Sequence, residues 1–337
     1  MQSFHSYQIF LLCFLFAVST PCYAFAFPDT QRGAFAIHSP VDKMSTLTSS
    51  SPFGVSPGGA VSAAVKNVLT TPSPTSLKSP SDLYQAAVTT GTMKAKASVR
   101  KIAILGLIAG CHIGFGAYLA LSVAGNCPAI LAENPGLQKM LFGMFGLPSG
   151  LIMTLVTGAE LFTGNTALVM AAKKEGKCTT RELLKSWSVS YVANLIGSIA
   201  LAWLCYQSGT LGASPGAVSV ATAKCSMTWP VAFLRGILGN WMVCMAIYIA
   251  NGCADLPGKM TSVWFLISAF TAMGFDHSVA NMFFIPLGIF RGANISWMQM
   301  FTKNLIPVSL GNIIGGALCA MGPYGASFGN WLGKEEE

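Results

Sequence analysis

Six long apolar segments follow one another along the chain from residue 102, separated by shorter polar stretches. In a helix that rises about 1.5 Å per residue, each is long enough to cross a hydrocarbon core about 30 Å thick. They cover residues 102–125, 137–172, 183–206, 230–251, 261–290 and 305–324. The second and fifth are too long for one simple span, and each carries polar residues and glycine near its middle. The pattern predicts an all-α membrane protein with six spans, in which the second and fifth helices are broken.

The two broken segments share one arrangement of polar residues. The number of residues from Glu160 to Asn165 equals the number from Asp276 to Asn281. The span after each break also carries an Asn-x-Ile-Gly sequence. Three spans followed by three similar ones must be inverted relative to each other, because an odd number of crossings reverses the chain direction. Folds of this kind place a permeation path near the midplane, between the interrupted helices. We therefore predict an inverted 3+3 repeat, in which these four residues are structural polar groups at the breaks.

The composition agrees with a location in the lipid bilayer. Of the 337 residues, 53% are hydrophobic and 9% are charged, and the mean hydropathy is +0.57. The formal net charge of +8 lies mostly in the leader and in loops, so it indicates membrane topology, with both ends on the inner side, rather than a nucleic-acid surface. The ten cysteines show neither CxxC nor Cys/His metal-ligand spacing. We expect no nucleic acid, metal or cofactor.

The N-terminal part of the chain has the composition of a targeting leader. Residues 1–26 are predicted to be a secretory-type signal peptide, and residues 27–92, rich in Ser, Thr, Pro and Ala, a transit-like or disordered leader. The sequence Phe25-Ala26-Phe27-Pro28 resembles the junction in bipartite leaders of algal plastids acquired by secondary endosymbiosis. We therefore expect a plastid (chloroplast) envelope; the alternative is an ordinary secretory signal followed by a linker, and a plasma-membrane location. Residues 93–328 form the predicted six-span domain, and residues 329–337 a polar tail.

Acid, imidazole and amide groups lie side by side in the fifth span, where the surroundings are otherwise hydrocarbon. Such groups are costly there unless they face protein or a water-filled path. His277 is the histidine that follows an acid inside a span, and it can exchange a proton near neutral pH. Thr163 lies in the other break, Asn240 lies in the middle of the fourth span, and Lys224 lies in the loop before it. These four residues are the candidates for contact with a permeating substrate.

Each candidate also has a simpler interpretation. His277 could be a structural imidazole at a helix break, and the hydroxyl of Thr163 could bond its own helix. Lys224 could be a solvated loop lysine, and Asn240 could hydrogen-bond neighbouring helices without lining a path. The matched break in the second span favours a functional His277, whereas His112 in the first span has no polar neighbour and is interpreted as a packing residue.

Three stretches of the chain resemble the signatures of the formate/nitrite transporter family. They are Ala159-Glu160-Leu161-Phe162-Thr163-Gly164-Asn165, Gly274-Phe275-Asp276-His277-Ser278-Val279-Ala280-Asn281-Met282-Phe283 and Leu305-Ile306-Pro307-Val308-Ser309-Leu310-Gly311-Asn312. Within the family, the body of the chain is most similar to the algal plastid-envelope members, which include nitrite transporters and a bicarbonate channel. The resemblance implies a homopentamer of aquaporin-like protomers, each with its own pore for small monovalent anions.

The resemblance also implies roles for individual residues. His277 matches the central histidine of the family, Thr163 the threonine of the second-span loop, Lys224 the vestibule lysine and Asn240 the fourth-span asparagine. The hydrophobic constrictions of the family match Leu147, Leu151, Leu161 and Phe270. Leu147 stands where bacterial members often have an aromatic residue, and Asp276 stands where they usually have Glu.

We therefore expect a channel or transporter for small monovalent anions, with bicarbonate or nitrite as the foremost substrates and formate as a further one. In this hypothesis Lys224 concentrates the anion, the apolar constriction removes its water, and His277 donates a proton to it. Direct passage of the anion is the other mode, with polar groups replacing its hydration shell. Two other functions remain open at this point. One is a rhomboid-type intramembrane serine protease built around Ser149, and the other is a neutral-solute or ammonium channel. An enzyme is not expected.

Overall fold

The computed structural model describes residues 77–333, and the regular secondary structure of this part is helical. The helices are α1 Pro80–Lys96, α2 Val99–Val123, α3 Pro128–Glu133, α4 Pro135–Met144, α5 Leu147–Thr157, α6 Phe162–Lys174, α7 Thr180–Ser208, α8 Gly216–Ser226, α9 Trp229–Gly252, α10 Leu256–Met273, α11 Ser278–Phe290 and α12 Trp297–Phe328. The last of these is one helical rod that contains π-helical turns at Met300–Leu305 and Gly315–Ala320.

By length and apolar composition, this part of the chain contains six segments that fit a membrane crossing. Five are helical segments long and apolar enough to span a bilayer, and the sixth is the pair α10 and α11, which is bent by 55° at its break. The second crossing is interrupted as well, because α5 ends at Thr157 and α6 begins at Phe162. The six spans and the broken second and fifth helices predicted from the sequence are therefore confirmed.

A glycine in the left-handed conformation ends the first helix of each broken span. Gly158 has φ +73° after α5, and Gly274 has φ +77° after α10. Few other residues adopt this conformation without strain. After each glycine the chain reaches the N-terminus of the next helix, where the capping residue is in extended conformation. The capping residues are Leu161 in the first break and His277 in the second. The same local sequence feature thus produces both breaks.

Tight helix packing holds each half together. In the first half α2 lies against α7, and in the second half α9 lies against α12. A Cβ atom on Gly110 would overlap the carbonyl oxygen of Asn194. In the second half, a Cβ atom on Gly236 would lie 2.6 Å from the carbonyl oxygen of Val308. Glycine at these contacts lets the helix backbones approach each other, as is common in membrane bundles.

Replacing Gly110 by alanine is expected to lower the stability of the protein by about 1–3 kcal/mol, because the added methyl group meets backbone that cannot rotate away. The measurement is the midpoint of thermal unfolding of the purified protein in detergent. Gly136→Ala is the matched control, since the nearest atom to its Cβ would be 3.8 Å away. Equal midpoints for the two variants would contradict the proposed role of this contact.

The N-terminal boundary of the membrane domain lies earlier than the sequence analysis predicted. Residues 80–92 were assigned to the leader, but they form most of α1, which packs against α6 and buries Tyr84 and Ala87 completely. The side chain of Ser79 caps α1 by accepting a hydrogen bond from the backbone N–H of Asp82 at 3.2 Å. The membrane domain therefore includes α1, and the boundary at residue 92 is corrected. The predicted signal peptide and the leader up to residue 76 lie outside the described residues.

The first residues of the predicted polar tail are also bound to the body. The backbone N–H of Asn330 donates to Glu175 Oε1 at 2.9 Å, and the indole N–H of Trp331 donates to the Tyr84 hydroxyl at 2.7 Å. That hydroxyl donates in turn to Glu175 at 2.8 Å. Burial, together with the neighbouring Glu175 carboxylate, raises the pKa of Tyr84, so the phenol stays protonated and can donate this bond. The contacts link the C-terminal segment to α1 and to the loop after α6.

Candidate functional site

The first break contains a buried carboxylate whose partners come from three parts of the chain. Glu160 is 4% exposed. Its carboxylate lies 3.0 Å from the ammonium group of Lys94 in α1 and accepts a hydrogen bond from Asn165 Nδ2 at 2.9 Å. The backbone N–H of Glu160 donates to the carbonyl of Leu105 in α2 at 3.1 Å. The acid is therefore compensated both by charge and by hydrogen bonds, as a buried carboxylate requires.

The second break repeats this arrangement in the other half. Asp276 is 1% exposed. Its carboxylate accepts hydrogen bonds from Lys224 Nζ at 2.7 Å and from Asn281 Nδ2 at 2.9 Å. Its backbone N–H donates to the carbonyl of Arg235 at 3.2 Å. Lys224 lies in α8, as Lys94 lies in α1. The acid, the amide and the lysine thus recur as one unit in both halves, which agrees with the inverted repeat.

A buried asparagine braces each break. Asn312 accepts a hydrogen bond from the backbone N–H of Ser278 at 2.8 Å and donates to the carbonyls of Gly236 at 2.7 Å and Asp276 at 3.1 Å. Asn194 makes the corresponding three bonds in the first break, at 2.9, 2.7 and 2.9 Å. A broken helix leaves backbone groups without helical partners inside the membrane, and these two side chains satisfy them.

His277 joins the two halves at the N-terminus of α11. Its Nδ1 accepts a hydrogen bond from the backbone N–H of Ala280 at 3.1 Å, and its Nε2 lies 2.7 Å from the hydroxyl oxygen of Thr163 in α6. The imidazole is 4% exposed and the threonine is fully buried. In the first half the position corresponding to His277 is occupied by Leu161, which likewise precedes a helix. The imidazole is therefore an asymmetric element in an otherwise symmetric pair of breaks.

Asn240 also connects the halves, but through the backbone. Its Nδ2 lies within 3.2 Å of the carbonyl of Thr163, 3.0 Å of the hydroxyl of Thr166 and 2.6 Å of the carbonyl of Asn312. Asn240 has no exposed surface and does not line the cavities described below. These contacts agree with the simpler of its two interpretations, a hydrogen-bonding residue between helices.

An open cavity of about 370 Å³ is lined by Lys224 and its neighbours; we call it the Lys224 vestibule. Three residues of its lining, Leu147, Phe270 and His277, also line a second cavity of about 10 Å³, together with Leu151. A space of that size holds no more than about one water molecule. Leu147, Leu151 and Phe270 thus enclose an apolar neck beside the imidazole, whereas Leu161 does not line either cavity.

The whole membrane domain matches one family. A family model described as formate/nitrite transporter matches residues 81–326. The chain belongs to the formate/nitrite transporter family. The chain is 41% identical over 261 residues to the probable formate transporter of Methanothermobacter thermautotrophicus, a match that covers 72% of the chain and 94% of that protein. It is 33% identical over 272 residues to the formate channel FocA of Escherichia coli strain K12, covering 73% and 92%.

Solved structures agree with this assignment. The transporter is similar to an FNT family ion channel with a TM-score of 0.66 and 27% identity, over 73% of the chain and 98% of that channel. It is similar to a pentameric formate channel with formate bound, with a TM-score of 0.61 and 30% identity, over 68% and 97%. The predicted all-α, aquaporin-like fold class is confirmed. The protein is a multi-pass membrane transporter for anions rather than an enzyme.

The contacts of Ser149 also differ from those of a serine protease. Its hydroxyl donates to the carbonyl of Gly146 at 2.8 Å, within its own turn, and the imidazole of His277 contacts Thr163 instead. A Ser/His dyad requires the two groups to lie within hydrogen-bond reach of each other. The rhomboid-type alternative is therefore not supported in this transporter.

Lys94 was not predicted from the sequence to be a site residue. Its charge was interpreted as a topology signal, although its ammonium group lies 3.0 Å from the carboxylate of Glu160. A signal was present in the repeat, because Lys94 precedes Leu105 by the same number of residues by which Lys224 precedes Arg235. Aligning the two halves over this stretch would have paired the lysines. For Lys224, the contact with Asp276 replaces the interpretation as a solvated loop lysine.

Proposed function

We propose that the transporter passes small monovalent anions through the apolar neck and past a hydrogen-bonded pair formed by His277 and Thr163. The observation that carries the proposal is the 2.7 Å contact between these side chains, which come from the two broken helices. His277 lines the neck, and Thr163 is fully buried on the other side of the imidazole contact. An apolar neck removes water from an anion, so a hydrogen-bond donor is needed at the point where the neck ends. The family match supports the anion class of the substrate.

The hydrogen bonds of His277 indicate which nitrogen carries its proton. Because the backbone N–H of Ala280 donates to Nδ1, Nδ1 must present a lone pair, and the neutral ring then carries its hydrogen on Nε2. Nε2–H donates to the Thr163 oxygen. A cationic ring would place a second hydrogen on Nδ1, facing the Ala280 N–H. We propose that His277 acts as a neutral hydrogen-bond donor, which departs from the sequence-based hypothesis of a histidine that hands its proton to the anion.

Thr163 lines neither cavity, and we propose that it meets the anion only once the anion has passed the neck. Its hydroxyl oxygen accepts from His277, and within residues 77–333 the hydroxyl has no acceptor for its own hydrogen. The Thr163 O–H is therefore free to donate to an oxygen of the substrate. Since the imidazole behind it is fixed by Ala280, the donor is already oriented when the anion arrives. This corresponds to direct passage of the anion, with protein groups replacing part of its hydration shell.

Formate, nitrite and bicarbonate are the proposed substrates. Formate and nitrite present two oxygens, and bicarbonate three, on one small group, which suits a narrow neck followed by a single donor. The names of the relatives support formate, and the resemblance of the sequence to algal plastid-envelope members supports nitrite and bicarbonate. A neutral-solute or ammonium channel is disfavoured by the positive vestibule lining, which includes Lys139, Lys224 and Arg235.

Replacing His277 by alanine is expected to lower formate flux into liposomes by at least about tenfold, because the Thr163 hydroxyl loses the partner that orients it. His112→Ala is the matched control: His112 also lies in a membrane span, and its Nδ1 has no partner within the described residues. Flux through the control should equal that of the unmodified protein. Unchanged flux and anion selectivity in His277→Ala would overturn the proposal. A second contradicting result would be a change of flux with pH that is present in the unmodified protein and absent only in His277→Ala, since that would identify the histidine as an acid.

We also propose a homopentamer in the plastid envelope. The similarity to a pentameric formate channel over 68% of the chain supports the assembly, and the composition of the N-terminal leader supports the location. The mass of the detergent-solubilised protein and the position of a fluorescently tagged full-length chain in an algal cell are the corresponding tests. A monomer, or fluorescence at the plasma membrane, would contradict the respective proposal.

A further inference from the structure

The Lys224 vestibule carries more positive charge than its lysine explains. Lys139, Lys224 and Arg235 line it, and among the described residues of its lining the acid is Asp276. Because Asp276 lies 2.7 Å from Lys224, this carboxylate offsets the charge of that lysine. The uncompensated cations of the vestibule are therefore Lys139 and Arg235, and an approaching anion meets their field first.

Arg235 has a guanidinium group that is largely free to bind. Its recorded contact is from Nη1 to the sulfur of Met227 at 3.3 Å, and a thioether is a weak acceptor. Neither of the ion pairs in residues 77–333 involves Arg235, and its side chain is exposed. A guanidinium presents parallel N–H donors whose spacing matches the two oxygens of a carboxylate.

The backbone of Arg235 is held at the site. Its carbonyl accepts the N–H of Asp276, so the residue is joined to the break that carries His277. It also lies in the first turns of α9, next to Gly236, which Asn312 contacts. A side chain that starts from a fixed backbone can present its donors in a reproducible direction.

The other half of the molecule shows that the break does not require an arginine. Leu105 occupies the corresponding position, and its carbonyl accepts the N–H of Glu160 in the same way. The backbone bond is thus made equally by a leucine and by an arginine. Since the structural role needs only the carbonyl, the guanidinium in the second half is available for another role.

We propose that Arg235 determines substrate specificity in the Lys224 vestibule by binding the two oxygens of a planar anion, such as a carboxylate or nitrite, before the anion enters the neck. The proposal rests on the proposed function, since it assumes that the anion approaches the neck through this vestibule. Arg235 acts at the mouth and the Thr163–His277 pair acts beyond the neck. Arg235 therefore sets the concentration at which flux saturates.

The test is formate flux into liposomes at a series of formate concentrations, with purified full-length protein. Arg235→Gln is expected to raise the half-saturating concentration about tenfold, with flux that approaches the unmodified level at high formate. Arg235→Lys keeps the charge but loses the parallel donors, so the half-saturating concentration should stay at least about fivefold above that of the unmodified protein. Lys303→Gln is the control for loss of one exposed charge outside the vestibule lining, and it should change the value less than about twofold.

Three outcomes would overturn the role of Arg235. One is an unchanged half-saturating concentration in Arg235→Gln, and another is full restoration by Arg235→Lys, which would reduce the effect to charge. The third is an equal shift in Lys303→Gln, which would reduce it to general surface charge. These outcomes are distinct from failure of the proposed function, which would show as absence of anion flux in the unmodified protein or as unchanged flux in His277→Ala.

Discussion

Replacing Lys224 by methionine is expected to lower the stability of the protein by about 2–4 kcal/mol, or its unfolding midpoint by about 5–10 °C. The substitution leaves the carboxylate of Asp276 without its cation, and the side chain of Asp276 is only 2% exposed. Removal of one partner of a buried pair costs more than the pair itself contributes, because the remaining charge stays in a poorly polarisable environment. The 18% exposure of the Lys224 side chain reduces the expected cost below that of a fully buried pair.

The double variant Lys224→Met with Asp276→Asn should recover most of this loss, since it removes both charges together. The pair Lys94 and Glu160, 3.0 Å apart, should behave in the same way in the first half, with Lys94→Met and Glu160→Gln. Thermal unfolding in detergent measures all of these midpoints, and Lys303→Met controls for loss of an exposed lysine. If each double variant were as unstable as its lysine variant, the ion pairs would not be what stabilises the breaks.

Replacing Asn312 by alanine is expected to cost at least about 3 kcal/mol, because the backbone N–H of Ser278 and the carbonyl of Asp276 lose their partner inside the membrane. Asn194→Ala should cost a similar amount in the first break, where the corresponding bonds are 2.9 Å long. The expected observation is a low yield of monodisperse protein and a strongly lowered unfolding midpoint.

Asn251→Ala provides the matched control for this prediction. Asn251 lies near the end of a membrane-spanning helix, but its Nδ2 has no partner within the described residues, so its removal breaks no hydrogen bond of the side-chain amide. The control should lose less than about 1 kcal/mol. Comparable losses in all three asparagine variants would show that the amide bonds at the breaks contribute no special stability.

The breaks could be predicted from the sequence because their signals are local. An acid and an amide at fixed spacing, with a glycine a few residues before the acid, recur in two apolar segments that are too long for one span. The inverted arrangement then follows from the odd number of crossings in each half. His277 and Thr163 could be nominated because each lies in a break, but their mutual contact depends on how the two halves dock.

Other parts of the site depend on contacts that local sequence does not specify. Lys94 lies in α1, whose small and polar residues resemble those of a leader. Its side chain reaches Glu160 because Gly91 lets α1 lie against the backbone at Leu168. The choice between pore lining and helix contact for Asn240 depends on the rotation of α9 about its axis. Both questions concern distant segments, so neither could be answered from spacing along the chain.

The separation of the two networks has a consequence for biosynthesis. The partners of the Glu160 break come from residues between Lys94 and Asn194, and those of the Asp276 break from residues between Lys224 and Asn312. The first break can therefore be fully satisfied before the ribosome has translated the second. The contact between Thr163 and His277, in contrast, requires both halves. The hydrogen bonds of the first break thus need no residue of the second half, whereas the proposed Thr163–His277 pair can form only after the second half has been made and has docked.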